Sequence, residues 1–83
     1  MQDQAGAIDW DDFRFLLAIV RGGSVSAAAR QLGVDHATVI RRVDRLEGHL
    51  KAKLFDRRKT GYLLTEAGQR VADSAEEIGR AHV

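Results

Sequence analysis

The sequence predicts a small, mainly α-helical domain: three helices, a short β-hairpin and a closing helix. Three observations predict it. Apolar residues recur every three or four positions in separate stretches, the period of one helical face. Gly22-Gly23 and Gly33 divide the first three stretches at points where a helix must stop. Before the last stretch, Leu54-Phe55 and Tyr62-Leu63-Leu64 flank a basic turn containing Gly61, the pattern of a hairpin.

Each element follows from local signals. Residues 1–8 hold Gln, Gly and Ala without a period and read as a flexible N-terminal tail. Residues 9–64 form the body of the domain. Asp9 can cap a first helix, in which Trp10, Phe13, Leu16, Leu17 and Val20 make an apolar face. Ser24 or Ser26 can cap a short second helix running through Ala27-Ala28-Ala29 to Leu32. Asp35 can cap a third, whose Val39, Val43, Leu46 and Leu50 form one buried stripe, with Gly48 weakening it late. Residues 65–83 form the closing helix: Thr65 caps it, Glu66 sits favourably at its positive end, and Ala67, Val71, Ala75 and Ile78 make a stripe to about residue 82.

Composition excludes several classes. Eighty-three residues make one small domain. Without cysteine there is no disulfide or thiolate metal site, which is compatible with a reducing cytoplasm. No apolar run approaches the roughly 20 residues that span a bilayer. The first residues lack the basic and apolar regions of a signal peptide. His36, His49 and His82 show no ligand-like spacing with acids, and there is no nucleophile elbow or phosphate-binding glycine motif. No catalytic residue, metal or cofactor is therefore expected, and the protein reads as a non-enzyme.

The net charge of +1 conceals an asymmetry. Residues 1–20 sum to −3, residues 21–59 to +6 and residues 60–83 to −2. A basic middle segment suits a polyanion such as DNA; a solvated basic face is the plainer reading of charge alone.

The stretch from Ser26 to Leu46 carries more. Two helices crossing around a short turn need small residues on the first, which Ala28 and Ala29 supply, and a turn residue tolerant of positive φ, which Gly33 supplies. Leu32, Val34, Val39 and Val43 can fill the space between them. Followed by a charged hairpin, this is a winged helix-turn-helix: a three-helix core, a small wing and a C-terminal helix for linking and dimerisation. With Val39, Val43 and Leu46 turned inward, His36, Ala37, Ile40 and Arg41 project outward near the start of the third helix. Ile40 reads either as additional core or as a contact for a thymine methyl group, and Arg41 as a reader of guanine or a phosphate. Ser26 and Thr38 complete this group of expected DNA-binding residues. Arg45 lies on the flank with Arg42 and His49, where phosphates or acidic neighbours are the expected partners. Arg57, Arg58 and Lys59, at the hairpin tip, are expected to meet phosphates or a minor groove.

From about Trp10 to Gly68 the chain resembles the LysR-type transcription regulators. The matching pieces are FLLAIVRGGSVSAAARQLGV, HATVIRRVDRLEGHL, KLFDRR and LTEAG. The resemblance implies sequence-specific binding of double-stranded DNA by a cytoplasmic homodimer on an interrupted inverted repeat. It also implies dimerisation through the last helix and a separate effector-sensing domain that this sequence lacks. That helix ends without a stop signal, so the sequence reads as part of a longer protein. The chain departs from the usual pattern at Asp35-His36-Ala37, where Ser-Gln-Pro is common, and at Ile40, where Ser is common. Two other readings compete: a winged-helix module that binds proteins, and a non-specific nucleoid binder.

Overall fold

Elements appear in the expected order: α1 (Asp11–Gly22), α2 (Val25–Leu32), α3 (His36–Leu50), β1 (Phe55–Arg58), β2 (Gly61–Leu64) and α4 (Glu66–Ala81). The structure, a computed structural model, describes residues 9–81, with side chains described through residue 78. The expected tail at residues 1–8 and the end of the last helix beyond Ala81 lie outside the described residues.

Local capping accounts for most boundaries. Ser24 Oγ accepts from the Ala27 N–H at 3.0 Å, so Ser24 rather than Ser26 caps α2. At the other end Gly33 adopts φ 70°, and the Val34 N–H reaches back to the Ala29 carbonyl at 3.0 Å. That pattern closes the helix through a left-handed residue, where glycine carries no steric cost. Asp35 caps α3 by accepting the Thr38 N–H at 2.8 Å. Lys51 performs the left-handed turn after α3 at φ 54°, a role for which the sequence offers no glycine. The cap of α1 is displaced by one residue: Trp10 occupies the N-cap position, while Asp9 Oδ1 accepts the Asp11 N–H at 3.0 Å.

The core gathers Phe15, Leu16 and Ile19 of α1, Ala28 and Ala29 of α2, Val39, Val43 and Leu46 of α3, Leu54 and Phe55, and Ala72 of α4. The third-helix stripe is as expected at Val39, Val43 and Leu46, whereas Leu50 is only half-buried against the core. The first-helix face is not as expected: its most buried residues are Asp12, Phe15, Leu16, Ala18 and Ile19, whereas Phe13, Leu17 and Val20 are half-buried and Trp10 is 59% exposed. Helix α1 is covered from two sides. One face meets α2 and α3, and the neighbouring face meets α4, so the expected single stripe is only the flank of a wider apolar surface.

The hairpin pairs Phe55 with Leu64 and Arg58 with Gly61 in antiparallel register, leaving Lys59-Thr60 as a two-residue tip. Arg57 and Arg58 therefore stand on strand β1 and not at the tip where the sequence suggested them. Gly61, which pairs with Arg58 directly after the tip, has φ 138°, a backbone angle that glycine adopts without steric cost. Thr65 then anchors α4: its N–H donates to the Leu54 carbonyl at 3.0 Å and its hydroxyl to the Lys53 carbonyl at 2.6 Å. The same Oγ1 accepts the Gly68 N–H at 2.9 Å, capping the helix.

Candidate nucleic-acid interface

Helix α3 carries the exposed face. Val39, Val43 and Leu46 are fully buried, so the helix cannot rotate without opening the core, and His36, Ala37 and Arg41 are thereby fixed outward as exposed residues. Thr38 and Ile40 are half-buried at the edges of this face. Ile40 stands outside the apolar cluster, which leaves its side chain free for an apolar contact on the surface. The Ser26 hydroxyl is exposed beside them, since Ser24 does the capping. Ser26, His36 and Ala37 line one open depression together with Arg30. Arg30 escaped the sequence reading, although its four-residue spacing from Ser26 places both on one face of α2. At the entrance, hydrogen bonds from the Thr38 side chain and N–H hold the Asp35 carboxyl below its ordinary range.

The basic middle segment is largely spoken for within the chain. Asp12, fully buried, receives Arg45 through two hydrogen bonds of 2.9 Å and Arg42 at 3.0 Å. Asp9 and Asp11 complete this cluster, with Asp11 also bonded to Arg42. Hydrogen bonding to Asp12 raises the Arg45 pKa, so that guanidinium is firmly charged. Arg42 also lies over the Phe15 ring, 4.7 Å from its centre. Asp11 and Asp12, at the start of α1, thus clamp that helix to α3. Arg45 nonetheless keeps 45% of its side chain exposed, enough to offer a free edge to a phosphate.

In the wing, Arg57 bonds Asp44 of α3 and reaches Glu47 at 3.1 Å, while its guanidinium lies 5.1 Å from the Tyr62 ring centre. Burial lowers the Arg57 pKa, but the bond to Asp44 and the nearby Tyr62, Asp44 and Glu47 together outweigh it, and the net shift is upward. Arg58 pairs with Asp56 at 2.8 Å. Within the basic segment 21–59, among the described residues, Arg30, Arg41, Lys51, Lys53 and Lys59 form no ion pair, so these are its cations available to a polyanion without breaking an internal contact. Asp44 lies one helical turn beyond Ile40 and Arg41, so the wing stands beside the second half of α3 and continues its exposed face. Among the described residues, no group of three or more His, Cys, Asp or Glu is arranged to hold a metal, and no helix is long and apolar enough to cross a membrane.

On the opposite side, α4 packs on α1. Ala72 and Ala75 are buried there, so the stripe is covered within this chain as far as Ala75. An open apolar groove remains, lined by Trp10, Phe13, Leu17, Ala75 and Ile78, with Trp10 and Ile78 the exposed edges.

Comparison with known proteins matches residues 10–69 to the family described as bacterial regulatory helix-turn-helix protein, lysR family. The chain is 45% identical over 67 residues to the HTH-type transcriptional activator TtdR of Escherichia coli K12, covering 81% of this chain and 22% of that protein. Among solved structures it is similar to CbnR, a LysR family transcriptional regulator, with TM-score 0.84 and 27% identity over 90% of this chain and 26% of that one. It is similar too to the DNA-binding domain of CbnR in complex with DNA, with TM-score 0.86 and 27% identity over 90% of this chain and 86% of that one. The chain spans about a fifth of the length of the first curated relatives it matches, 22%.

Proposed function

The chain belongs to the lysR family of bacterial regulatory helix-turn-helix proteins, and we propose that it is the sequence-specific DNA-binding part of a transcription regulator working in the cytoplasm. One observation carries this reading above the others: a recognition helix locked by three buried residues presents His36, Ala37 and Arg41 on an open face that a wing continues. A helix of this kind fits the major groove, where side chains meet base edges. Ser26, His36, Ala37, Thr38, Ile40 and Arg41 face the bases and nearby phosphates. Arg45, Arg57, Arg58 and Lys59 face the backbone and the minor groove. The protein acts by binding and not by catalysis.

The likeness to a CbnR domain bound to DNA supports the same reading. The uncovered groove between α1 and α4 supports a homodimer through residues 65–83, since a two-fold partner presents the same apolar surface to it. Such a dimer sets two recognition helices on an interrupted inverted repeat. A separate effector-binding domain in the whole protein completes the proposal.

Selection of bound duplexes from a random pool tests the DNA reading. The expected result is one preferred sequence whose affinity falls steeply with salt, by about 0.9 log–log units for each phosphate contacted. Equal binding to all duplexes, or affinity indifferent to salt, overturns it. Sedimentation tests the dimer: association that rises with concentration is expected in the parent and is lost in Ile78→Asp.

A further inference from the structure

We propose that Glu47 is a positioning residue for DNA binding: its carboxylate fixes the angle of the wing to the recognition helix and so decides where along the DNA the wing lands. This rests on the reading that α3 and the hairpin are the two DNA-contacting elements.

Glu47 lies near the end of α3 with only 11% of its side chain exposed. Oε2 accepts two successive backbone N–H groups, Leu54 at 2.8 Å and Phe55 at 3.2 Å, where the chain enters β1. Oε1 accepts from Arg57 at 3.1 Å, two residues further along the same strand. Arg57 in turn covers the ring of Tyr62 on β2, so the tie reaches both strands. The backbone carbonyl of Glu47 also accepts from Lys51 and Ala52, which closes the turn between helix and strand. One residue thus organises the whole connection from recognition helix to wing. An ionised acceptor suits the task, because hydrogen bonds to a carboxylate are shorter and roughly twice as strong as neutral ones.

Leverage makes the angle matter. A strand of four residues is about 13 Å long at ~3.3 Å per residue. A tilt of about 10° at its base therefore moves the tip by about 2 Å, a large part of the ~3.4 Å step between base pairs. Core contacts of Leu54 and Phe55 hold the hairpin to the domain, but they are apolar and tolerate sliding better than directed bonds do. Removing the Glu47 charge would by itself tighten binding to every duplex uniformly, which is the opposite of a wing-specific loss and separates the two effects.

The test uses the full chain on its selected duplex. Hydroxyl-radical footprinting first identifies the sugar positions whose protection depends on Lys59, using Lys59→Ala, and competition assays identify the base pairs whose preference depends on Arg41. Glu47→Ala is expected to displace or erase the Lys59-dependent protection while the Arg41-dependent preference stays within about twofold. Glu47→Gln, which keeps an acceptor for the two N–H groups, is the milder variant should the alanine variant not fold, and is expected to shift protection in the same direction. Wing protection unchanged in Glu47→Gln and Glu47→Ala, or an equal loss at both sets of positions, overturns the proposal. Amide hydrogen exchange supplies a second readout without DNA: Leu54 and Phe55 amides are expected to exchange about tenfold faster in Glu47→Ala, while amides of α1 hold their rates. A parent chain that prefers no duplex counts against the DNA reading; Leu54 and Phe55 rates equal to the parent's count against the role of Glu47.

Discussion

A Cβ placed on Gly68 would overlap the carbonyl oxygen of Leu54 and sit 2.8 Å from Leu64 Cδ1. Bare backbone of α4 therefore rests on the entry to the wing. Gly68→Ala is expected to cost about 3 kcal/mol, because the obstacle is main chain that also accepts the Thr65 N–H and has little room to move. Gly48 is the opposite case. Nothing lies within 4 Å of a Cβ there, in the last turn of α3. Gly48→Ala is expected to stabilise by about 0.5–1 kcal/mol. Urea unfolding of the two variants checks the opposed signs.

Replacing Asp12 by alanine should strike harder than a surface acid would. The carboxylate is fully buried and bonded by Arg45 and Arg42, so its removal leaves Arg42, which is 21% exposed beside Phe15, with only the partly exposed acids Asp11 and Asp9 as partners. Breaking a buried pair from one side costs roughly 3–5 kcal/mol. Since Arg45 keeps much of its surface in water, about 2–3 kcal/mol is expected here. A thermal midpoint equal to the parent's would mean that the clamp between α1 and α3 contributes nothing.

Arg41→Ala and Lys59→Ala should fail in different ways. Arg41 projects from the recognition face, so its loss is expected to relax base preference by roughly 1–3 kcal/mol at one position. Lys59, at the wing tip, is expected to weaken binding to all sequences and reduce the salt slope by about 0.9. Titrations of selected and scrambled duplexes at several salt concentrations separate the two.

Acid should destabilise the domain from a definite point. A hydrogen bond from Arg14, with help from Arg42, holds the Asp11 pKa below its ordinary 3.8, and Thr38 does the same for Asp35. Groups whose folded pKa is depressed contribute fully above the unfolded value and lose that contribution as pH falls through the folded one. Unfolding free energy is therefore expected to gain nothing from these two groups between pH 7 and about 5, and to decline below about 4. Urea denaturation across that range checks it; stability that rises below pH 4 would contradict both assignments.

What the sequence determined by itself is what acts over a single turn. Ser24, Asp35 and Thr65 cap helices by bonding an N–H three residues ahead, and Gly33 ends α2 through its own left-handed backbone. The Val39, Val43 and Leu46 stripe follows from a fixed 100° per residue, and with it the outward face of His36, Ala37 and Arg41. Such signals involve only near neighbours, so they are legible in order along the chain. Only the tertiary structure decided which cations stay free. Arg45 meets Asp12 across 33 residues and Arg57 meets Asp44 across 13, and no local period encodes either pairing. The two-sided burial of α1, the placing of Arg57 and Arg58 on a strand, and the single carboxylate of Glu47 that joins helix to wing were hidden for the same reason. Each depends on where separate elements come to rest, and that is set by the packing of the whole core, not by the residues adjoining them.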